Sequence, residues 1–151
     1  MSLITQLGLD NLTTQIQELK SELTRTYDER QAAAAEGDLK ENSAYIFLGE
    51  RAQVLQSQID QLETDLKEST VATAPTQTNT VEFGHQVTIF FETDKRQITL
   101  TLVGKNDARL RPDWVSADSP LGIALLGQPI GTKVMVNDQP VSIQKISLGQ
   151  I

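Results

Sequence analysis

The sequence predicts an α+β protein: an N-terminal antiparallel α-helical coiled-coil hairpin, then a C-terminal antiparallel β-sheet domain with one short helix. Three observations carry this prediction. Apolar residues recur at spacings of three and four over two long stretches, the seam pattern of paired helices. Beyond residue 80 the period switches to two, as in half-buried strands. Between them lies a Thr-rich stretch without helical period, which reads as a linker. The boundaries are residues 1–70 for the hairpin, 71–80 for the linker and 81–151 for the C-terminal domain.

The first helix is marked by Leu9, Leu12, Ile16, Leu19 and Leu23, and the second by Tyr45, Leu48, Ala52, Leu55, Ile59, Leu62 and Leu66. Positions between them are mostly Gln, Glu, Lys, Ser, Thr and Asp, suited to the solvated faces. An antiparallel register sets Leu9 against Leu66, Leu12 against Leu62, Ile16 against Ile59 and Leu19 against Leu55. The fold-back point then falls near Gly37, and each arm is roughly 40 Å long. Lys20, Arg25, Arg30, Lys40 and Arg51 lie on this hairpin; most are expected to be solvated positions paired with nearby acids.

In the second part, Val87, Ile89 and Phe91 mark one strand, and Ile98, Leu100 and Leu102 another, joined at Thr93–Arg96. Val134 and Val136, then Val141, Ile143 and Ile146, predict a further hairpin turning at Asn137-Asp138-Gln139-Pro140. The short helix is predicted from about Pro120 to Leu126. Ser119 suits its N-cap, Pro120 its first turn and Gly127 its stop.

Composition narrows the chemistry. The chain has 151 residues and a formal charge of -7, so strong binding to free duplex DNA is not expected. There is no cysteine, and His85 is the single histidine. Disulfides, thiolate sites and multi-histidine metal sites are thereby excluded. No apolar run is long enough for a membrane span, and the first residues lack signal-peptide blocks. A cytoplasmic protein with no membrane partner is expected, as a monomer.

The most informative segment is Glu36-Gly37-Asp38-Leu39-Lys40-Glu41-Asn42, at the midpoint of the hairpin. It places Asp38 and Glu41 at the far end of a narrow probe. Spaced at i and i+3, the pair matches a capping box for the second helix, and both acids suit the positive end of that helix. On a helix face their Cβ atoms would lie about 5–6 Å apart, close enough to share one divalent cation. Two carboxylates hold Mg²⁺ weakly without further ligands. Such a tip would complete a site owned by a partner.

Gly37-Asp38-Leu39-Lys40-Glu41-Asn42, with Tyr45 after it, resembles the tip signature of the Gre family of bacterial transcript cleavage factors. Ser119-Pro120-Leu121-Gly122-Ile123-Ala124-Leu125-Leu126-Gly127 resembles the family's C-terminal helix signature, and Val81-Glu82-Phe83-Gly84 the start of that domain. The resemblance spans both domains in order. It implies a C-terminal domain of FKBP-like fold and a factor that binds bacterial RNA polymerase with its tip in the secondary channel. There Asp38 and Glu41 would help the polymerase centre hold a second Mg²⁺ and a water, so that the polymerase cleaves backtracked RNA near its 3′ end. The chain itself would be no enzyme and hold no cofactor alone. Leu39, Lys40, Asn42, Tyr45, Ser119, Pro120, Leu121 and Gly122 are the implied partner contacts.

Departures from the family pattern are also visible. Ile46, followed by Phe47, stands where members commonly carry His; Ile123 stands where many carry Arg; and an Arg-Pro element is missing around Arg25–Arg30. Ile46 and Phe47 are expected to pack at the tip base, with a polymerase contact as the alternative; Tyr27 and Tyr45 to pack near the seam; Trp114 to be a partly buried anchor, with a polymerase contact as its alternative; and His85 to lie at a surface or interface. Phe83, Phe90, Phe91 and Trp114 alternate onto different faces, so no prolyl isomerase pocket is expected. Two other functions share this architecture: a channel-binding inhibitor that does not promote cleavage, and an assembly arm whose tip charge is dispensable.

Overall fold

A computed structural model of the chain describes residues 2–37 and 42–151. Asp38, Leu39, Lys40 and Glu41 lie outside the described residues. The chain forms two compact units, Asp10–Glu68 and Met1–Leu9 together with Ser69–Ile151.

The hairpin unit is built from α1 (Gln6–Ala34) and α2 (Ser43–Glu68). Helices of 29 and 26 residues are each about 40 Å long. Leu12, Ile16, Leu23, Ala52, Leu55 and Ile59 of the predicted seam are buried, and Leu19 packs partly buried against Leu23, Ala52, Leu55 and Ile59. Leu48, Leu62 and Leu66 are half-buried toward the seam edges. Contacts between Ala33 and Asn42, Arg30 and Tyr45, and Glu22 and Arg51 follow the antiparallel register up the hairpin. Thr26 is the polar member of the buried set, and its hydroxyl donates to the Glu22 carbonyl at 2.8 Å. Leu55 is fully buried. Leu55→Ala should therefore destabilise the hairpin by about 2–5 kcal/mol, the cost of lost transfer energy plus a cavity. Urea unfolding followed by helical circular dichroism measures this; a loss under about 1 kcal/mol would mean the seam is not packed there.

The other unit begins with β1 (Ser2–Ile4), paired in parallel with β2 (Ser69–Val71). The first nine residues thus cluster with the C-terminal part, and Ser69–Val71 is strand at the edge of the predicted linker. Two three-residue strands have too little periodicity to read; their pairing spans most of a hairpin's length of sequence. The main sheet contains β3 (His85–Phe91), β4 (Arg96–Val103), β5 (Trp114–Ser116), β6 (Lys133–Val136) and β7 (Gln139–Leu148), in the order β5-β4-β3-β7-β6. The helix α3 spans Pro120–Leu125.

The sheet is mixed, which corrects the antiparallel expectation. β5 pairs with β4 in parallel, Thr101 opposite Trp114, while the other neighbours are antiparallel. A parallel neighbour needs a crossover connection, and the segment between Val103 and Trp114 supplies it. The turn between β6 and β7 is tighter than predicted. Asn137 and Asp138 take φ of 50° and 64°, the two left-handed residues of a type I′ turn, and Gln139 and Pro140 already belong to β7. The β3–β7 register slips between Thr88 and Ile89, which leaves Gln144 as the extra residue of a bulge. That bulge lets both Ile143 and Ile146 point into the core despite their odd spacing.

Val87, Ile89, Leu100, Leu102, Leu125, Val141 and Ile143 form the centre of this core. At its margin the Glu92 carboxylate accepts from Lys133 Nζ at 3.0 Å and from the Ser142 hydroxyl at 2.8 Å. Those two partners, Lys133 first, hold the carboxyl below the usual carboxylate range. A carboxyl with a lowered folded pKa stabilises the fold above its unfolded pKa and loses that contribution as pH falls through the folded value. Glu92→Gln should thus lower Tm at neutral pH and make no difference in acid, once the Glu92 carboxyl is protonated. An equal Tm deficit across that range, measured at low salt, would remove the ion pair as its cause.

Candidate functional site

At the distal end of the hairpin, α1 gives way to a turn at Ala35 and Glu36, and Gly37 faces open space. α2 starts at Ser43, and Asn42 caps it; the predicted Asp38–Glu41 capping box lies outside the described residues. Asn42 Oδ1 accepts the Tyr45 N–H at 3.0 Å, as an N-cap does. Its amide nitrogen donates to the Ala33 carbonyl at 2.7 Å. The side chain of Asn42, one of the implied partner contacts, is therefore engaged within the hairpin. The acids Asp38 and Glu41, with Leu39 and Lys40, belong to the segment between these ends and lie outside the described residues. Among the described residues, no group of three or more His, Cys, Asp or Glu could hold a metal.

Just behind the tip, Arg30 lies over the Tyr45 ring, 4.0 Å from its centroid, and its Nε donates to the Tyr45 carbonyl at 3.4 Å. Gly49 makes room, since a Cβ there would stand 2.8 Å from a guanidinium nitrogen. Cation–π contact of this kind adds rigidity as well as energy. Two other cations pair with acids, Lys20 with Glu63 at 2.7 Å and Arg51 with Glu22 at 2.6 Å. Both pairs are partly solvated and are worth little to stability.

Three aromatic and apolar expectations change here. Phe47 is 64% exposed and Ile46 47%, so neither packs at the tip base. Tyr27 is 49% exposed, whereas Tyr45 is half-buried beneath Arg30. Ile46 and Phe47 follow the seam residue Tyr45 directly, and helical geometry turns adjacent residues away from a shared face.

In the C-terminal unit the implied contact segment forms the start of α3. The Ser119 hydroxyl accepts the Gly122 N–H at 3.1 Å and donates to the Ser116 carbonyl at 2.6 Å. A side chain on Gly122 would meet that same carbonyl at 2.2 Å, so glycine is required for the close approach. Pro120 is exposed and Leu121 packs partly against the core. Ile123 projects 65% exposed.

Two family descriptions match most of the chain. "Transcription elongation factor, N-terminal" matches residues 2–71, and "Transcription elongation factor, GreA/GreB, C-term" matches residues 76–147. Transcription elongation factor GreA of Chloroflexus aggregans is 31% identical over 147 residues, covering 96% of this chain and 93% of its own. The chain belongs to the GreA/GreB family of transcription elongation factors. GreA of Acidiphilium cryptum is also similar, at 32% identity over 134 residues, covering 85% of this chain and 83% of its own. Among solved structures, GreA factor homolog 1 of Thermus thermophilus is 18% identical with a TM-score of 0.45, covering 96% of this chain and 97% of its own.

Other residues of this Gre-family chain take places that sequence reasoning missed. His85 is fully buried, which corrects its expected surface position. Its Nδ1 accepts the Glu82 N–H at 2.8 Å, so the proton sits on Nε2, which donates to the Gln77 carbonyl at 2.5 Å. The histidine thus ties the segment before β3 to the sheet. Asp107, not singled out in the sequence, is fully buried and accepts from Thr5 and Gly104. The one signal for it was Thr5, a helix-capping residue ahead of the first leucine heptad. Trp114 is buried with the Arg111 guanidinium 4.9 Å from its ring centroid. Phe91 joins the core, while Phe83 lines a separate groove of about 440 Å³ with Leu3 and Leu126.

Proposed function

We propose that this chain binds bacterial RNA polymerase, inserts the hairpin tip into the secondary channel, and stimulates the polymerase's own cleavage of backtracked RNA. The observation that carries it is the position of the acids. The chain leaves one long helix at Glu36 and enters the next at Asn42, and Asp38 and Glu41 fall in the few residues between. The arm that ends at this segment is slender and about 40 Å long, a shape suited to a deep channel. Its flanks are polar and its seam is buried, so the arm holds its shape without a partner.

Cleavage by the polymerase follows two-metal chemistry, in which a second Mg²⁺ supplies activation of the attacking water. Asp38 would offer a carboxylate oxygen to that ion, and Glu41 would support the same ion or accept a hydrogen bond from the water. Neither acid forms a complete site, because a cation of this kind needs more ligands than two carboxylates supply. Hydrolysis therefore belongs to the polymerase, and the factor has no nuclease activity alone. The Ser119–Gly122 segment, with Pro120 exposed at its surface, serves as the C-terminal contact.

The test is RNA cleavage in a stalled, backtracked elongation complex with Mg²⁺, with and without this protein. Faster appearance of the short 3′ fragment in its presence supports the proposal. Binding to polymerase without faster cleavage would instead make it a channel inhibitor. Absence of binding would leave the hairpin as an assembly arm.

A further inference from the structure

Both ends of the acidic loop are bound to one atom. The Ala33 carbonyl oxygen accepts the Glu36 N–H at 3.2 Å where the chain leaves α1. It also accepts the Asn42 side-chain N–H at 2.7 Å where the chain returns. A carbonyl oxygen carries two lone pairs and can serve both donors. Ala33 is itself buried, so water does not compete freely for these bonds. On the far side of Asn42, Oδ1 caps α2 through the Tyr45 N–H. Arg30 then fixes Tyr45 from α1, by ring contact and by the bond to its carbonyl. The two feet of the loop are thereby locked to each other and to both helices.

We propose that Asn42 is a positioning residue for the acidic loop, with Arg30 and Tyr45 bracing it. It acts on cleavage by fixing where the segment bearing Asp38 and Glu41 is anchored, and it touches neither RNA nor metal. The inference rests on the cleavage reading above. It differs from the family resemblance in making Asn42 an internal staple and not a polymerase contact. A carboxylate that must meet an ion held by another protein has little tolerance for displacement. Misplacement by about 1 Å can cost a hundredfold in rate.

Serine separates the two jobs of Asn42. It caps a helix as well as asparagine does, but its single short hydroxyl cannot also reach across to Ala33. Asn42→Ser therefore keeps the helix start and removes the cross-loop bond. Three quantities are compared for native protein and variant: the maximal stimulated cleavage rate, the factor concentration giving half that rate, and amide hydrogen exchange in the free protein at Glu36, the other donor to the Ala33 carbonyl. The maximal rate should fall about tenfold to a hundredfold. The half-saturating concentration and Tm should hold, since the variant retains the polymerase contacts and the cap. Exchange at Glu36 should accelerate as the end of α1 loosens.

An unchanged maximal rate overturns the proposal, and so does unchanged exchange. A raised half-saturating concentration with the native maximal rate would make Asn42 a polymerase contact instead. If the native protein gives no stimulation, the cleavage reading fails on its own, and a staple acting in cleavage falls with it. Failure of the staple alone shows as an active native factor and an equally active variant.

Discussion

Replacing Asp38 by Asn and Glu41 by Gln together should return cleavage of backtracked RNA to the rate of polymerase without factor. Each substitution keeps side-chain size and removes a negative charge, so the loss comes from electrostatics and not from packing. Removing one preorganised electrostatic partner from a reacting centre typically costs about a hundredfold to a thousandfold. Loss of both acids should erase most of the stimulation, leaving the polymerase's own slow hydrolysis as the floor. The fold should be indifferent, because the buried seam lies at Leu12, Ile16, Leu23, Ala52, Leu55 and Ile59, and Asn42 caps α2. The double variant should therefore still compete with native factor for polymerase. Competition without stimulation assigns the acids to the reaction. Retained stimulation would sink the two-carboxylate mechanism even if binding were normal. Single variants refine the roles: a metal-holding Asp38 predicts that excess Mg²⁺ partly rescues Asp38→Asn, since a weakened ligand set shifts the concentration needed to fill the site.

Much of the hairpin was legible because its physics is periodic. A seam repeats every turn or two, so Leu12, Ile16, Leu55 and Ile59 announce their shared face from spacing alone. α3 was legible from local chemistry, with Ser119 as cap and Gly127 at φ 80° as stop. The Gln144 bulge left a trace in the spacing of Ile143 and Ile146. What the spacing hid depends on distant partners. β5 is only three residues long and pairs in parallel across a crossover. His85 looks like a surface residue until Glu82 and Gln77 bracket its ring. At the tip, Asp38 and Asn42 are both good caps by type. That Asn42 also bonds to the Ala33 carbonyl was not readable, because it depends on the three-dimensional return of the chain beside α1.

Asp107→Ala should destabilise the C-terminal unit by about 3 kcal/mol or more. The carboxylate is fully buried and serves two sets of donors. The Thr5 N–H lies 3.1 Å from Oδ2 and 3.2 Å from Oδ1, and the Thr5 hydroxyl donates to Oδ1 at 2.7 Å. The Gly104 N–H donates to Oδ2 at 2.9 Å. Thr5 in turn accepts the Gly8 N–H at 3.0 Å, so the carboxylate orients the hydroxyl that caps α1. A negative charge beside the first turn of a long helix is also favourable to its dipole. The packing admits no substitute: a Cβ on Gly8 would stand 1.8 Å from Oδ1, and one on Gly104 2.2 Å from the Leu3 carbonyl. Alanine at 107 leaves the Thr5 and Gly104 amides buried without acceptors, each costing about 1–3 kcal/mol. The cap on α1 loses its orientation as well. Amide exchange at Thr5, Gly8 and Gly104 should rise before global unfolding, because the break is local to the β1–β2 end of that unit. Asn at 107 should fall between native and Ala, since it keeps one acceptor oxygen but turns an N–H toward donors. Denaturation of Asp107→Ala at a midpoint equal to native would mean that the carboxylate does not hold Thr5. The capping of α1 would then have to rest on the Thr5–Gly8 bond alone.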